Sequence, residues 1–297
     1  MGSTQQEVLP AIHIGEFAWQ VIQQYNTFTV LGQSSRGLFL KSDSRWLIFL
    51  TNEKFGSPFT IVLESGSFSF DIPLGEQGEL SSRGLYFPQP GIFITCTPDT
   101  IWRAPHPPLH YLTKKDRLYQ FDYYAMMARE KNQSRGLNAI LTCLQQPGKI
   151  SANKKDNFVQ IICLLNKRFS DHQFPDTTQP ISELLGIGGG LTPFGDDIII
   201  GCLLSINRWK HLLAPQFDLR EWNMQIVETA YQKTTTLSAN LIEGAAQGKG
   251  DERLISAIDC IMCGSHDRQK IADNLFSWGD SSGVYAFIGM SIAVISL

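Results

Sequence analysis

The chain has 297 residues, 43% hydrophobic and 18% charged, with 25 basic against 28 acidic side chains and a formal net charge of −3. That length holds a sizeable core and fits two domains better than one. The charge balance offers no basic stripe for nucleic acid and no acidic solvating tail. The opening MGSTQQEVLPAIHIG lacks a basic segment followed by an apolar one, so no secretory signal is expected.

The first third reads as β. FTVLGQ, GLFLKS, RWLIFLT, FTIVLES, GSFSFDIP and GIFITCT are short segments rich in Phe, Ile, Val and Thr, punctuated by Gly, Ser, Asn, Asp and Pro. This spacing predicts an antiparallel sheet or small barrel, with residues 17–25 forming a short helix ahead of it. S-S-R-G-L occurs twice, around Arg36 and Arg83. The two copies read as matching turns rather than as cationic site residues, and the chain is read as having no internal repeats.

From Arg103 to Tyr111 the chain carries three prolines in four residues, which continue neither a helix nor a central strand. The domain boundary is placed here. The expected architecture is α+β: a β-rich N-terminal domain over 1–108 and an α-helical C-terminal domain over 109–297. His106 and His110, which flank the prolines, read as linker residues rather than metal ligands.

Beyond the boundary, apolar residues recur at three- and four-residue spacing in DRLYQFDYYAMMAREKN and KDNFVQIICLLNKRF. Further helices are expected over 193–213, 219–232, 236–247, 251–263, 267–276 and 281–295. The final VYAFIGMSIAVISL, Val284–Leu297, is 14 residues long, short of the ~20 that span a bilayer, and reads as a buried helix. The six cysteines, Cys96, Cys143, Cys163, Cys202, Cys260 and Cys263, read as reduced thiols of a cytoplasmic protein. Cys260 and Cys263 form a C-x-x-C without the second ligand pair of a zinc site, so they are expected to be core residues on one helix face.

The most informative stretch is GIGGGLTPFGDD, Gly186 to Asp197, followed by the apolar IIIGCLLSI. Thr192 fits an N-cap and Pro193 the first helical position. Gly188, Gly189 and Gly190 upstream, with Gly195, permit positive φ and close approach to the backbone. Together with free N–H groups at a helix start, they make a recipe for holding phosphate or carboxylate. The stretch matches neither a Walker A loop, which needs a lysine, nor a dinucleotide fingerprint, which should follow a strand. Asp196 and Asp197 complicate the reading. One acid in a first turn favours the helix dipole, but two adjacent acids point about 100° apart, and a carboxylate repels an anion. Either a divalent cation bridges them or an aspartate accepts hydrogen bonds from ligand N–H groups.

Two more helix starts are rich in hydroxyls. One carries Thr235, Thr236, Ser238 and Asn240; the other carries Asp280, Ser281, Ser282 and Gly283. Each alone reads as a capping sequence. Three such starts in one domain invite the expectation that they converge on one anionic ligand.

In this stretch the sequence resembles a bacterial family, long of unknown function, whose pattern is close to G-x-G-x-G-L-T-P-x-G-D-D before an apolar helix with a glycine. The match falls on Gly186, Gly188, Gly190, Leu191, Thr192, Pro193, Gly195, Asp196, Asp197 and Gly201. A later S-x-x-L-x-x-A-x-x-G falls on Ser238, Leu241, Ala245 and Gly248, and S-S-G on Ser281, Ser282 and Gly283. Where the family pattern has a histidine before S-S-G and an acid after it, this chain has Asp280 and Tyr285.

The family includes the AllH-type subunit of oxamate carbamoyltransferase. The resemblance implies carbamoyl exchange between oxalurate plus phosphate and oxamate plus carbamoyl phosphate, in allantoin nitrogen breakdown. It also implies assembly with FdrA-like and AllG-like subunits, and no nucleic-acid or membrane partner. On that reading Asp196, Asp197 and Thr192 are catalytic, and the substrate-binding set is Gly188, Gly189, Gly190, Gly195, Thr236, Ser238, Asn240, Ser281 and Ser282. A cofactor is not specified beyond a divalent cation at the two aspartates. The competing readings are an ATP- and Mg²⁺-dependent phosphotransferase and a non-catalytic subunit that binds a metabolite and scaffolds partners.

Overall fold

The computed structural model describes residues 7–64, 72–81, 84–145 and 157–296, with the backbone alone for Arg135 and Ser296. The chain divides into two compact units, residues 1–105 and 106–297. The division falls inside the proline-rich segment.

The first unit contains β1 (Glu7–Gly15), α1 (Glu16–Gln24), β2 (Thr27–Ser34), β3 (Gly37–Lys41), β4 (Leu47–Thr51), β5 (Thr60–Leu63), β6 (Gln77–Ser81), β7 (Gly84–Phe87), β8 (Ile92–Thr95) and β9 (Ile101–Trp102). The strand order is β5-β4-β3-β2-β6-β7-β8-β1-β9, and β5 also pairs with β1. Eight strands therefore close into a barrel, and β9 continues the β8 edge alongside β1. Side chains alternate along the strands: Leu38, Leu40, Ile48, Leu50, Ile61 and Leu85 point into one apolar cluster, to which α1 adds Ala18, Val21 and Ile22.

The barrel repeats itself. Replacing β2, β3, β4 and β5 by β6, β7, β8 and β1 preserves every neighbour and every direction: two antiparallel pairs, then a parallel one. The register is preserved too. Gly37 faces Thr51 as Gly84 faces Thr95, and the Ser34 hydroxyl donates to Gly37 O as Ser81 does to Gly84 O. A Cβ on Gly37 would meet Leu50 O, and one on Gly84 would meet the equivalent Ile94 O. The halves join through β2–β6 and β5–β1, where Thr29 pairs with Gln77 and Leu63 with Ala11. Each of these pairs maps onto itself, so they mark the pseudo-two-fold axis. The shared S-S-R-G-L is the sequence trace of this duplication, although Ser82 and Arg83 lie outside the described residues, as does most of GSFSFDIP.

The second unit is helical: α2 (Lys114–Lys131), α3 (Arg135–Gln145), α4 (Asn157–Ser170), α5 (Thr178–Leu184), α6 (Phe194–Arg208), α7 (Lys210–Leu213), α8 (Leu219–Lys233), α9 (Thr236–Ala245), α10 (Glu252–Cys263), α11 (Arg268–Phe276) and α12 (Ser282–Ser296). Several starts are fixed by side-chain caps. Thr113, Asp218, Thr235 and Asp251 accept from Asp116, Arg220, Ser238 and Arg253 N–H respectively. The helix α6 is buried nearly all round. Its C-terminal end is anchored where Arg208 donates to both Asp259 oxygens, at 2.7 and 2.6 Å, and Trp209 Nε1 adds a third contact at 3.1 Å. No helix among the described residues is long and apolar enough to cross a membrane.

Cysteine chemistry departs from expectation at one place. Cys143 on α3 and Cys163 on α4 form a disulfide, their Cα atoms 6.6 Å apart, within the reach of such a bond. The other four thiols are free. Burial pushes the Cys202 thiol up to about 12, away from thiolate reactivity.

The helices α6 and α12 touch backbone to backbone. A Cβ on Gly201 would lie 1.9 Å from Ala286 O, and one on Gly289 would lie 1.9 Å from Ile198 O. Gly201→Ala and Gly289→Ala are each expected to destabilise the protein by about 1–3 kcal/mol or more, because a rigid backbone cannot give way. Gly136→Ala, with open space around its Cβ on α3, should be neutral or stabilising by up to about 1 kcal/mol. Denaturant unfolding of the three variants checks the contrast.

Candidate functional site

The glycine loop runs from α5 to α6. Gly186, Gly188 and Gly190 have φ of +77°, +117° and +90°, alternating with residues of ordinary φ. At Gly188 a Cβ would also strike the Phe194 ring and its backbone nitrogen. Gly188–Leu191 are exposed. The N–H groups of Gly188, Gly189, Gly190, Leu191 and Thr192 donate to no atom among the described residues. A run of donors on alternating backbone makes a concavity that favours an anion.

The helix starts one residue later than the sequence implies. Pro193 is the N-cap, with φ −52° and ψ 143°, and no side chain caps the helix. Thr192 does not cap because its hydroxyl is turned to Ser282, the two oxygens 3.2 Å apart. Gly195 is required here for close approach: a Cβ would lie 2.1 Å from Leu184 O.

The two aspartates serve different partners. Asp196 is fully buried; its Oδ1 accepts from Gly186 N–H at 2.8 Å and its Oδ2 from the Thr234 hydroxyl. It is a clamp that ties the loop to the segment before α9. Both oxygens of Asp196 are thus held by the chain's own donors. No three His, Cys, Asp or Glu side chains stand together as a metal site among the described residues.

Asp197 is 1% exposed, and its Oδ1 has no hydrogen-bond partner. Burial, with a smaller push from neighbouring Asp196, raises it to about 8; the Ser282 and Thr192 hydroxyls pull it the other way. Below that pH it is a carboxylic acid that can donate as well as accept. Tyr285 stacks on Phe194 with ring centroids 5.0 Å apart. Its phenol is raised by its own burial and then by Asp197.

Three helix starts meet at residues 191–192. The Thr235 hydroxyl, the α9 cap, donates to Leu191 O at 2.7 Å while accepting from Ser238 N–H at 3.1 Å. Ser282, the first residue of α12, touches Thr192. Ser238 is fully buried with an unpartnered Oγ, a second orphan polar atom in this cluster. Other expected site residues lie differently. Asn240 is buried and donates to the Tyr231 hydroxyl at 2.8 Å, while Thr236 and Ser281 are exposed. Thr234 and Tyr285 had no assigned role in the sequence reading. The T-T-T run carried the signal for Thr234, since its first member, not its cap, reaches Asp196.

This is a helical unit in which a glycine loop and three helix N-termini surround one buried acid. The region that contains all of it, residues 184–294, matches the family model described as oxamate carbamoyltransferase subunit AllH. The match covers none of the barrel. No curated protein and no solved structure matches the chain.

Two variants separate the aspartates. Asp196→Ala orphans the Gly186 N–H and the Thr234 hydroxyl and is expected to cost about 3 kcal/mol of stability. For Asp197 the effect depends on pH. Between the usual carboxylate value near 4 and about 8, the unfolded chain has released a proton that the folded chain keeps. Stability therefore falls as pH rises through that window and levels off above it. Asp197→Asn lacks this slope, so it should gain on the wild type from pH 4 to 8. Unfolding midpoints measured across that range check it.

Proposed function

We propose that the chain is a subunit of an oxamate carbamoyltransferase-type enzyme and that the cluster at α6, α9 and α12 is its substrate site. The observation that carries the reading is coincidence: the family match and the helix-start cluster occupy the same residues, 184–294. The chemistry supports it. Oxamate and carbamoyl compounds join an anionic group to an amide. The five N–H groups of Gly188–Thr192, which have no acceptor among the described residues, aided by three positive helix ends, suit a carboxylate or phosphate.

Asp197 suits the amide. As a neutral acid its carbonyl can accept an amide N–H while its O–H donates to an oxygen of the anion beside it, which it does not repel. Thr192 and Ser282 supply hydroxyls around it. Donors fixed before the reaction stabilise charge that develops on the carbamoyl oxygen without reorganisation. On this reading carbamoyl transfer is direct, FdrA-like and AllG-like subunits complete the enzyme, and no covalent intermediate on this chain is required. The phosphotransferase reading is weaker, because Asp196 is committed to Gly186 and Thr234.

The test is reconstitution. Coexpressed with the FdrA-like and AllG-like subunits, the chain should support formation of oxalurate from oxamate and carbamoyl phosphate. Asp197→Ala is expected to lower kcat/KM by about 10²–10³-fold, the scale of losing one preorganised group, and Ser282→Ala by about tenfold. A complex without carbamoyl transfer would sink the reaction. Full activity of Asp197→Ala would remove that residue from it.

A further inference from the structure

The cluster holds an acid where an anion is expected, and its geometry says how the two coexist. Asp197 Oδ1 is buried without a partner. It stands among the Thr192 and Ser282 hydroxyls, at the end of a loop whose five N–H groups have no acceptor among the described residues. Ser238 Oγ, one turn beyond the Thr235 cap, is a second buried atom with nothing to bond. The orphan Asp197 oxygen at the end of this row of donors is satisfied by a ligand that brings acceptors.

We propose that this site binds its oxyanion together with a proton, the Asp197 carboxyl giving its O–H to one ligand oxygen while the Gly188–Thr192 N–H groups hold the others. The ligand class is a small carboxylate or phosphate-like oxyanion. The proposal rests on the reading of the cluster as an anion site, and not on the transfer reaction. Burial supplies the reason the proton is available at neutral pH. An ionised Asp197 would put a like charge against the ligand, so binding requires the acid form.

Among the described residues, the neighbouring titratable groups have other partners. Asp196, on the same helix, accepts from Gly186 and Thr234. On α12, Tyr285 has its phenol raised by its own burial and then by Asp197. On α9, the carboxylate of Glu243 accepts from the Tyr231 hydroxyl at 2.7 Å. On α5, Glu183 accepts from Gln179. Lys233, before α9, donates to the Ser182 carbonyl and hydroxyl.

Calorimetric titration of the full chain with oxamate, and separately with sulfate, tests the idea, since neither anion changes its charge between pH 6 and 10. Wild-type affinity should be flat to about pH 8 and then fall by about tenfold per pH unit, the slope of one linked proton. At pH 9, heats in buffers of different ionisation enthalpy should report uptake approaching one proton. Asp197→Asn, whose amide donates at any pH, should bind with no such slope. In a folded Thr192→Val or Ser282→Ala chain, losing a hydroxyl that favours the carboxylate should move the wild-type break to higher pH, which a purely structural role would not do. A wild-type profile flat to pH 10, the same slope in Asp197→Asn, or no binding of either anion at pH 7 overturns the proposal. Linked binding without carbamoyl transfer in the reconstituted complex would remove the reaction and leave this site; transfer with unlinked binding would do the reverse.

Discussion

The helical unit depends on one close contact, the crossing of α6 and α12 at Gly201 and Gly289. Only hydrogen fits between these backbones, and the crossing brings the N-terminal ends of both helices side by side. Thr192 then reaches Ser282, Phe194 stacks on Tyr285, and Asp197 is closed in. Each helix carries a partial positive charge at its start. Setting two such ends together, with α9 as a third, is unfavourable in isolation and becomes favourable when negative charge is supplied. The packing that builds the core thus also builds the demand for an anion.

The loop is held by a separate device. Asp196 ties Gly186 to Thr234, and Thr235 ties its own helix start to Leu191. Gly195 lets α6 pass against Leu184 O. These contacts hold both flanks of the Gly188–Gly190 segment, so its exposed N–H groups need not be ordered afresh when a ligand arrives, which lowers the entropic cost of binding. Two adjacent aspartates therefore do unrelated work: one is spent on architecture, and the other is buried beside Thr192 and Ser282 with an oxygen left unpartnered.

Much of the helical unit was legible because its signals are local. Caps such as Thr113, Asp218 and Asp251 sit directly before periodic apolar runs. Thr192 failed as a cap for a nonlocal reason: Ser282, ninety residues away, takes its hydroxyl. The strand β1 was missed because Pro10 and polar neighbours mask its alternation, and β6, QGELS, is mostly polar and half exposed. The barrel's duplication left one five-residue trace, because what the halves share is register and direction rather than side chains. The Cys143–Cys163 bond was hidden because it joins two helices across a sequence separation of 20, one of them unrecognised. In the site, the residue types were readable but the division of labour between Asp196 and Asp197 was not, since it turns on which way each carboxyl faces.

Whether an acid at three helix starts is charged is a contest of magnitudes. Each helix end favours the carboxylate by about 0.3–1 kcal/mol when exposed and up to about 2 when partly buried. Three ends together, at about 1 kcal/mol each, are worth roughly two units of acidity. Complete burial of a carboxyl opposes this with up to about 3–5 units. Asp197 is 1% exposed, its neighbour Asp196 adds to the opposition, and the net direction is upward, to about 8. Desolvation wins, and so the helix dipoles are not cancelled from within. They remain available to a charge that comes from outside, and the acid that would have cancelled them becomes a donor to it.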